Sequence, residues 1–474
     1  MTAQSPQFAP ATGKPLSGAA APAQQASIDP AFADRADILQ TVSFYMALAM
    51  VFTKFSFLQE IQTWVMHFKG YILYIVGIPA GVTLLLSGGL RRGMAGKPAY
   101  LWVAFTLWVV ACVPFSTWRA ASFVITRNFI EYSMLMLFII SGLVISWRQC
   151  RLLTHAIALA ALMNILTANL FASERGGRFE LEFGTVSNAN DFAAHLLLTL
   201  PFLLLFASNS KSFVLRAIAL LAVGFGVIVI FRTGSRGALV ALVADVLFVL
   251  WRGTVRQRAA LAMLAPIALI AVTLFVSGGV LQRIRSFSSS QAGSDAGAME
   301  SSDARRYLLT KAIEYTLTHP IFGIGPDQFA NYEGSHNKII GTHGMWHAVH
   351  NSFLQAFAET GFPGGILLIA CYVSTWLLLN RTYRQARARP ECRDIQITVF
   401  YIMLSMLGFC IAIFFLNFTF YYYGPALAGM ALSVSRAAKY EFEHRVPLPA
   451  ATAFIPPARI RTSGPHSPLI PTTS

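Results

Sequence analysis

Apolar stretches long enough to cross a bilayer recur from Ile38 to Val434, separated by short basic connectors and one long polar segment. A hydrocarbon core about 30 Å thick takes about 20 helical residues to span, and within it every backbone N–H and C=O must bond inside the chain. Long apolar runs under that constraint give an all-α, polytopic membrane fold. Composition agrees: charged residues are 12% and apolar residues 55% of the 474, whereas soluble domains run near a quarter charged.

About twelve spans are predicted: Ile38–Leu58, Gly70–Leu90, Tyr100–Phe115, Phe123–Ile145, Leu152–Phe171, Phe192–Ala207, Phe213–Phe231, Gly237–Trp251, Ala259–Val276, Phe353–Leu379, Ile395–Phe415 and Tyr421–Val434. They fill a membrane domain over 37–435, flanked by tails at 1–36 and 446–474 whose Ala, Pro, Gln, Ser and Thr content predicts disorder. The amino-terminal stretch lacks a basic region followed by an apolar core, so it does not read as a cleaved signal.

Alternate connectors carry Arg91, Arg92 and Lys97; Arg148 and Arg151; Lys211; Arg252, Arg256 and Arg258; and Arg381 through Arg393. The positive-inside rule makes these cytoplasmic, with both termini. The largest remaining connector, 277–351, balances basic against acidic residues and falls outside. The +15 formal charge is spread over connectors and does not form one basic face, which excludes a nucleic-acid partner. No cysteine of the five lies in the large loop, and none forms a CxxC pair, so neither disulfides nor a metal framework is implied.

Three polar features stand on the outer side. The first is RTGSRGAL at 232–239, where Arg232 and Arg236 sit among small residues at the junction of two spans. Such arginines either present a planar fork to phosphate oxygens or anchor a tight turn at the headgroups. The second is a loop helix predicted over Asp303–Thr318, capped by Asp303, stopped before Pro320, and carrying Leu308, Ile313 and Leu317 at near-helical spacing; Ser286–Ser302 ahead of it reads as flexible. Arg305 and Arg306 near its start oppose the helix dipole, so either an anion relieves them or Glu300 and Asp303 neutralise them. The third is HGMWHAVHNSFLQAFAETG, whose His343, His347 and His350 would share a helix face, followed by Glu359. Imidazole there is a general base or, less simply, a metal ligand. Inside spans, Lys54, Arg127 with Glu131, His155, His195 and Asp245 are costly in lipid and so are structural pairs or functional groups.

SNAND at 187–191, TGSRGAL at 233–239, the Arg305 helix running into HPIFGIGPDQF at 319–329, and HNSFLQAFAETGFPGG at 350–365 come in an order that resembles the O-antigen ligase and O-antigen polymerase family, with a shared region of about 188–432. The resemblance implies a bacterial inner-membrane glycosyltransferase with a periplasmic large loop. It implies transfer of a glycan from undecaprenyl diphosphate to lipid A-core or a growing polysaccharide, with no metal or other cofactor. It further implies that Arg236 and Arg305 hold the diphosphate and that His350 activates the acceptor hydroxyl. The chain departs from the family pattern at Leu309, where many members have Trp, and in the Arg305–Arg306 pair, which leaves both arginines as candidates. Rival classes are a multi-span transporter or flippase of a lipid-linked glycan, motivated by Asp245, and a non-catalytic assembly subunit.

Overall fold

A computed structural model describes residues 30–175, 178–186, 188–275, 296–336 and 346–446. The helices are α1 (Pro30–Phe55), α2 (Leu58–Met66), α3 (Ile72–Leu86), α4 (Gly89–Gly93), α5 (Lys97–Cys112), α6 (Arg119–Asn128), α7 (Leu135–Leu143), α8 (Trp147–Phe171), α9 (Ala189–Asn209), α10 (Phe213–Arg232), α11 (Arg236–Arg252), α12 (Val255–Phe275), α13 (Ala296–Thr318), α14 (Phe329–His336), α15 (Ser352–Arg387), α16 (Arg393–Ala412) and α17 (Tyr423–His444). Over the described residues each predicted span lies largely on helix, and the long apolar helices are fewer than the twelve spans expected. Among the described residues, eight helices are long and apolar enough to cross a membrane by length and composition, α6 and α7 counting as one through a π-helical turn at Phe129–Met134. At 15 residues α3 is shorter than a straight span, and α11 has 17 with Asp245 inside.

Three departures from the sequence expectation are local. An antiparallel hairpin, β1 (Ala172–Arg175) with β2 (Arg178–Leu181), interrupts the all-helical pattern. Helix α1 starts at Pro30, inside the stretch assigned to the tail; the tails at 1–29 and 447–474 lie outside the described residues. In the large loop, α13 begins by Ala296 and continues through Asp303, so Asp303 is not its cap, and at 23 residues the helix is longer than the Asp303–Thr318 stretch expected. Ala296, Ala298, Met299 and Glu300 are good helix formers and carry it through the segment expected to be flexible.

Helices α9 and α16 form the centre, with 78% and 72% of their apolar windows buried, and α10 lies at the edge with 28%. The histidine at the centre has polar neighbours on both ring nitrogens. His195 contacts Asn164 Nδ2 at 2.8 Å, the Phe55 carbonyl at 3.0 Å and the Tyr423 hydroxyl at 3.0 Å. Fully buried, the imidazole uses Nδ1 toward Tyr423 and Nε2 toward either Asn164 or Phe55, which sets α1, α8, α9 and α17 around one side chain as a structural knot. Arg127 and Glu131 pair along their helix as their spacing foretold.

One end of the bundle collects the basic connectors. Arg436 donates to the carbonyls of Arg92, Ser141 and Val144, capping the carboxyl end of α7. Asp394 accepts from Trp147 and pairs with Arg445, and Arg252 bonds Asn380 at 2.8 Å. Connectors read separately as positive thus meet on one face of the fold. The hairpin, α13, α14 and the 413–422 turn lie at the opposite end.

Candidate functional site

The site rests on a backbone clasp between two of the motif segments. Pro320 to Gln328 lies across the start of α15: Ile324 N donates to Ala358 O at 3.0 Å, Gly325 N to Glu359 O at 3.0 Å, and Phe362 N to Pro320 O at 2.8 Å. Gly361 takes φ 71°, and a Cβ there would overlap the Ile321 carbonyl; Gly323, at φ 67°, would collide with Glu359. Glycine is needed at both because the backbones touch. The Glu359 carboxylate, 1% exposed, accepts from Asp327 N, Phe329 N and Gln355 Nε2, which fixes the start of α14. Its role is to hold the loop.

A second scaffold, the 416–422 segment, orients His350. Ser352 Oγ donates to Leu416 O and accepts from Phe418 N, both at 2.7 Å, and Thr419 Oγ1 bonds Ser352 O and Gln355 Oε1. His350 N donates to Asn417 Oδ1 at 2.7 Å, holding His350 at φ 56°. A non-glycine residue in the left-handed region persists only where its surroundings enforce it. His347 is exposed, and neither it nor His350 is in a helix, because Trp346–His350 runs as irregular chain; His343 lies outside the described residues. The expected shared helical face of three histidines is therefore corrected: Gly344 and Trp346 are poor helix formers and the clasp sets the local path.

Arg236 opens α11 just after the turn built by Thr233, Gly234 and Ser235, with Ser235 Oγ accepting Ala238 N as the cap. Its neighbour Gly237 packs on Phe415, so the first turn of α11 abuts the chain that holds Asn417 and hence His350. Arg232 behaves differently: it pairs with Glu174 at 3.1 Å and stacks on Phe179, anchoring the hairpin. Arg178 of β2 donates to Thr233 O at 3.0 Å and Asn190 Oδ1 at 2.7 Å, joining the TGSRGAL turn to the SNAND segment, where Asn188 caps α9.

The adjacent arginines lie on different faces of α13. Leu308, Ala312 and Tyr315 are buried with Ile324, Phe329, Val349 and Ala358 in a small core of their own, whereas Ile313 and Leu317, which share the helical spacing read from the sequence, are exposed. Arg305 stands one turn before Leu308 on the buried face and is half-buried; Arg306 is exposed. The Arg305 charge reaches His350: burial first, then Arg305 and His347, push the imidazole down to about 4. Arg305 lies in the third turn of α13, beyond the reach of the helix dipole, which removes the conflict read from the sequence.

Residues 217–369 match the family model described as O-antigen ligase. The likeness to O-antigen ligase covers that region alone, about a third of the chain. Arg236, Arg305, Arg306 and His350 lie inside the O-antigen ligase match, and Arg178, the SNAND segment and Asn417 lie outside it. Among solved structures, one described as "Structural coordination of polymerization and crosslinking by a peptidoglycan synthase complex" includes a chain 18% identical to this one, at a TM-score of 0.42, covering 74% of this chain and 100% of that one. No curated protein matches the chain. Two contributors to the site were not singled out from sequence: Arg178 and Asn417. Asn417 had a signal, as a lone amide in the LNFTF turn between apolar spans; Arg178 had none.

Proposed function

We propose that the protein is a bacterial inner-membrane glycosyltransferase that moves a glycan from undecaprenyl diphosphate to an acceptor, lipid A-core or a growing polysaccharide, at the periplasmic face. The observation that carries this reading is the gathering of Arg236, Arg305 and His350, from three separate elements, around the 413–422 turn at the end of the bundle opposite the basic connectors.

In the proposed reaction an acceptor hydroxyl attacks the anomeric carbon from the side opposite the diphosphate. The new C–O bond forms as the bond to the diphosphate oxygen breaks, with inversion. Arg236 and Arg305 hold the departing charge by charge-assisted hydrogen bonds, and His350 takes the hydroxyl proton. A depressed pKa keeps the imidazole neutral and ready to accept at neutral pH. An anionic donor beside Arg305 offsets that arginine's field, so donor binding strengthens the base as the reaction needs it. Arg306, facing away from this cluster, is assigned no contact with the donor.

Profiling lipopolysaccharide and lipid-linked glycans in a deletion strain tests the reading. Long polymer left on undecaprenyl diphosphate identifies a ligase, and core capped by a single repeat identifies a polymerase. An unchanged profile in both pools overturns the proposal.

A further inference from the structure

A large cavity lies away from the cluster just described, between α9, α10, α11, α12 and α16. Its volume is about 650 Å³, and its walls include Leu200, Leu204, Val223, Leu242, Phe400 and Leu404. Along α10 it runs from Arg216 to Phe231, roughly 22 Å at the helical rise. Arg216, Arg256 and Arg393 line it, all three exposed. They come from α10, α12 and α16, all at the end where the basic connectors meet.

The charge pattern is lopsided. Among the described residues none of these three arginines pairs with a carboxylate. Asp394, adjacent in sequence to Arg393, is taken by Arg445 and Trp147. The acidic residue in the lining is Asp245, which is 8% exposed with Oδ1 free of any hydrogen bond. It stands about two turns before Arg252 on α11, roughly 11 Å deeper, too far to neutralise the mouth. Three cations at the rim of an apolar chamber, without a carboxylate partner among the described residues, call for a molecule with an anionic head and a hydrocarbon tail. One leaflet contributes half of a core about 30 Å thick, so an acyl chain entering at the arginines ends near the level of Asp245.

We infer that this cavity binds an anionic phospholipid of the leaflet at the arginine-rich end, with the phosphate on Arg216, Arg256 and Arg393 and an acyl chain against α9, α10 and α16. Basic pockets between membrane helices hold such headgroups elsewhere.

The test uses the full chain purified into phosphatidylcholine nanodiscs, with retained lipid measured by native mass spectrometry during phosphatidylglycerol titration. Wild type should keep phosphatidylglycerol in preference to phosphatidylcholine. A triple Arg216→Gln, Arg256→Gln, Arg393→Gln variant, whose changes are all at exposed positions, should bind it roughly a hundredfold more weakly. Val223→Trp, which fills the chamber without changing charge, should also reduce retention. Equal retention of the two lipids by wild type overturns the inference and needs no variant. So does undiminished phosphatidylglycerol binding by the triple variant. Displacement of phosphatidylglycerol by undecaprenyl phosphate would instead assign the cavity to a polyprenyl chain and overturn it as well.

Discussion

Replacing Asn417 with alanine tests whether His350 must be held where it is for turnover. The change leaves the imidazole in place chemically and removes only the acceptor of its backbone N–H, a 2.7 Å bond. Loss of that bond costs about 0.5 to 1.5 kcal/mol. It also frees a residue at φ 56°, whose conformation stores about 1 to 3 kcal/mol, so the 346–351 chain relaxes away from its position. A displacement near 1 Å costs a reaction of this kind about a hundredfold, and the expected loss in kcat is about 10- to 100-fold with donor affinity nearly unchanged. Asn417→Asp keeps the acceptor and should keep the backbone position, while its negative charge raises the His350 pKa. The assay is single-turnover transfer from a lipid-linked glycan by purified protein, with donor binding followed separately. Turnover by Asn417→Ala within about threefold of wild type, far inside that range, would refute the argument.

His350→Ala should lower turnover by about 10²- to 10⁴-fold with donor binding retained, whereas Arg236→Ala and Arg305→Ala should weaken donor binding itself and Arg306→Ala should do neither; a donor-binding titration of the four purified variants separates them. The pH dependence follows from the sign of the His350 shift: neutral imidazole persists down to about 4, so kcat/KM should stay high through mildly acidic pH and fall as pH drops through that value, and Arg305→Gln, by removing a cation, should move this acid limb upward. Gly361→Ala should cost several kcal/mol, measured as lost folded yield and thermal stability, through the strain at φ 71° and overlap with Ile321, while Gly224→Ala, inside α10 with nothing within 4 Å of its Cβ, should be neutral or stabilise by up to about 1 kcal/mol. A cysteine at exposed Thr310 should react with an impermeant thiol reagent once the outer membrane is permeable, and one at exposed Arg387 only after lysis; the reverse pattern would invert the proposed orientation.

The sequence alone determined the helical membrane class, because apolar runs and connector charge answer to a solvent whose demands are the same everywhere along the chain. It also nominated Arg236, Arg305, Arg306 and His350, through short motifs in a fixed order. Tertiary structure decided what those motifs do. Half of HPIFGIGPDQF and ETGFPGG is a clasp of backbone against backbone, which two glycines and Glu359 make sterically and electrically tolerable. Arg305 and Arg306, equivalent as letters, were separated by which face of α13 found a small apolar core. Arg178 and Asn417 were invisible as partners because each acts on a residue far along the chain, Thr233 in one case and His350 in the other. Local patterning reports the solvent a segment prefers, and contacts between distant segments depend on where the packed helices bring their ends.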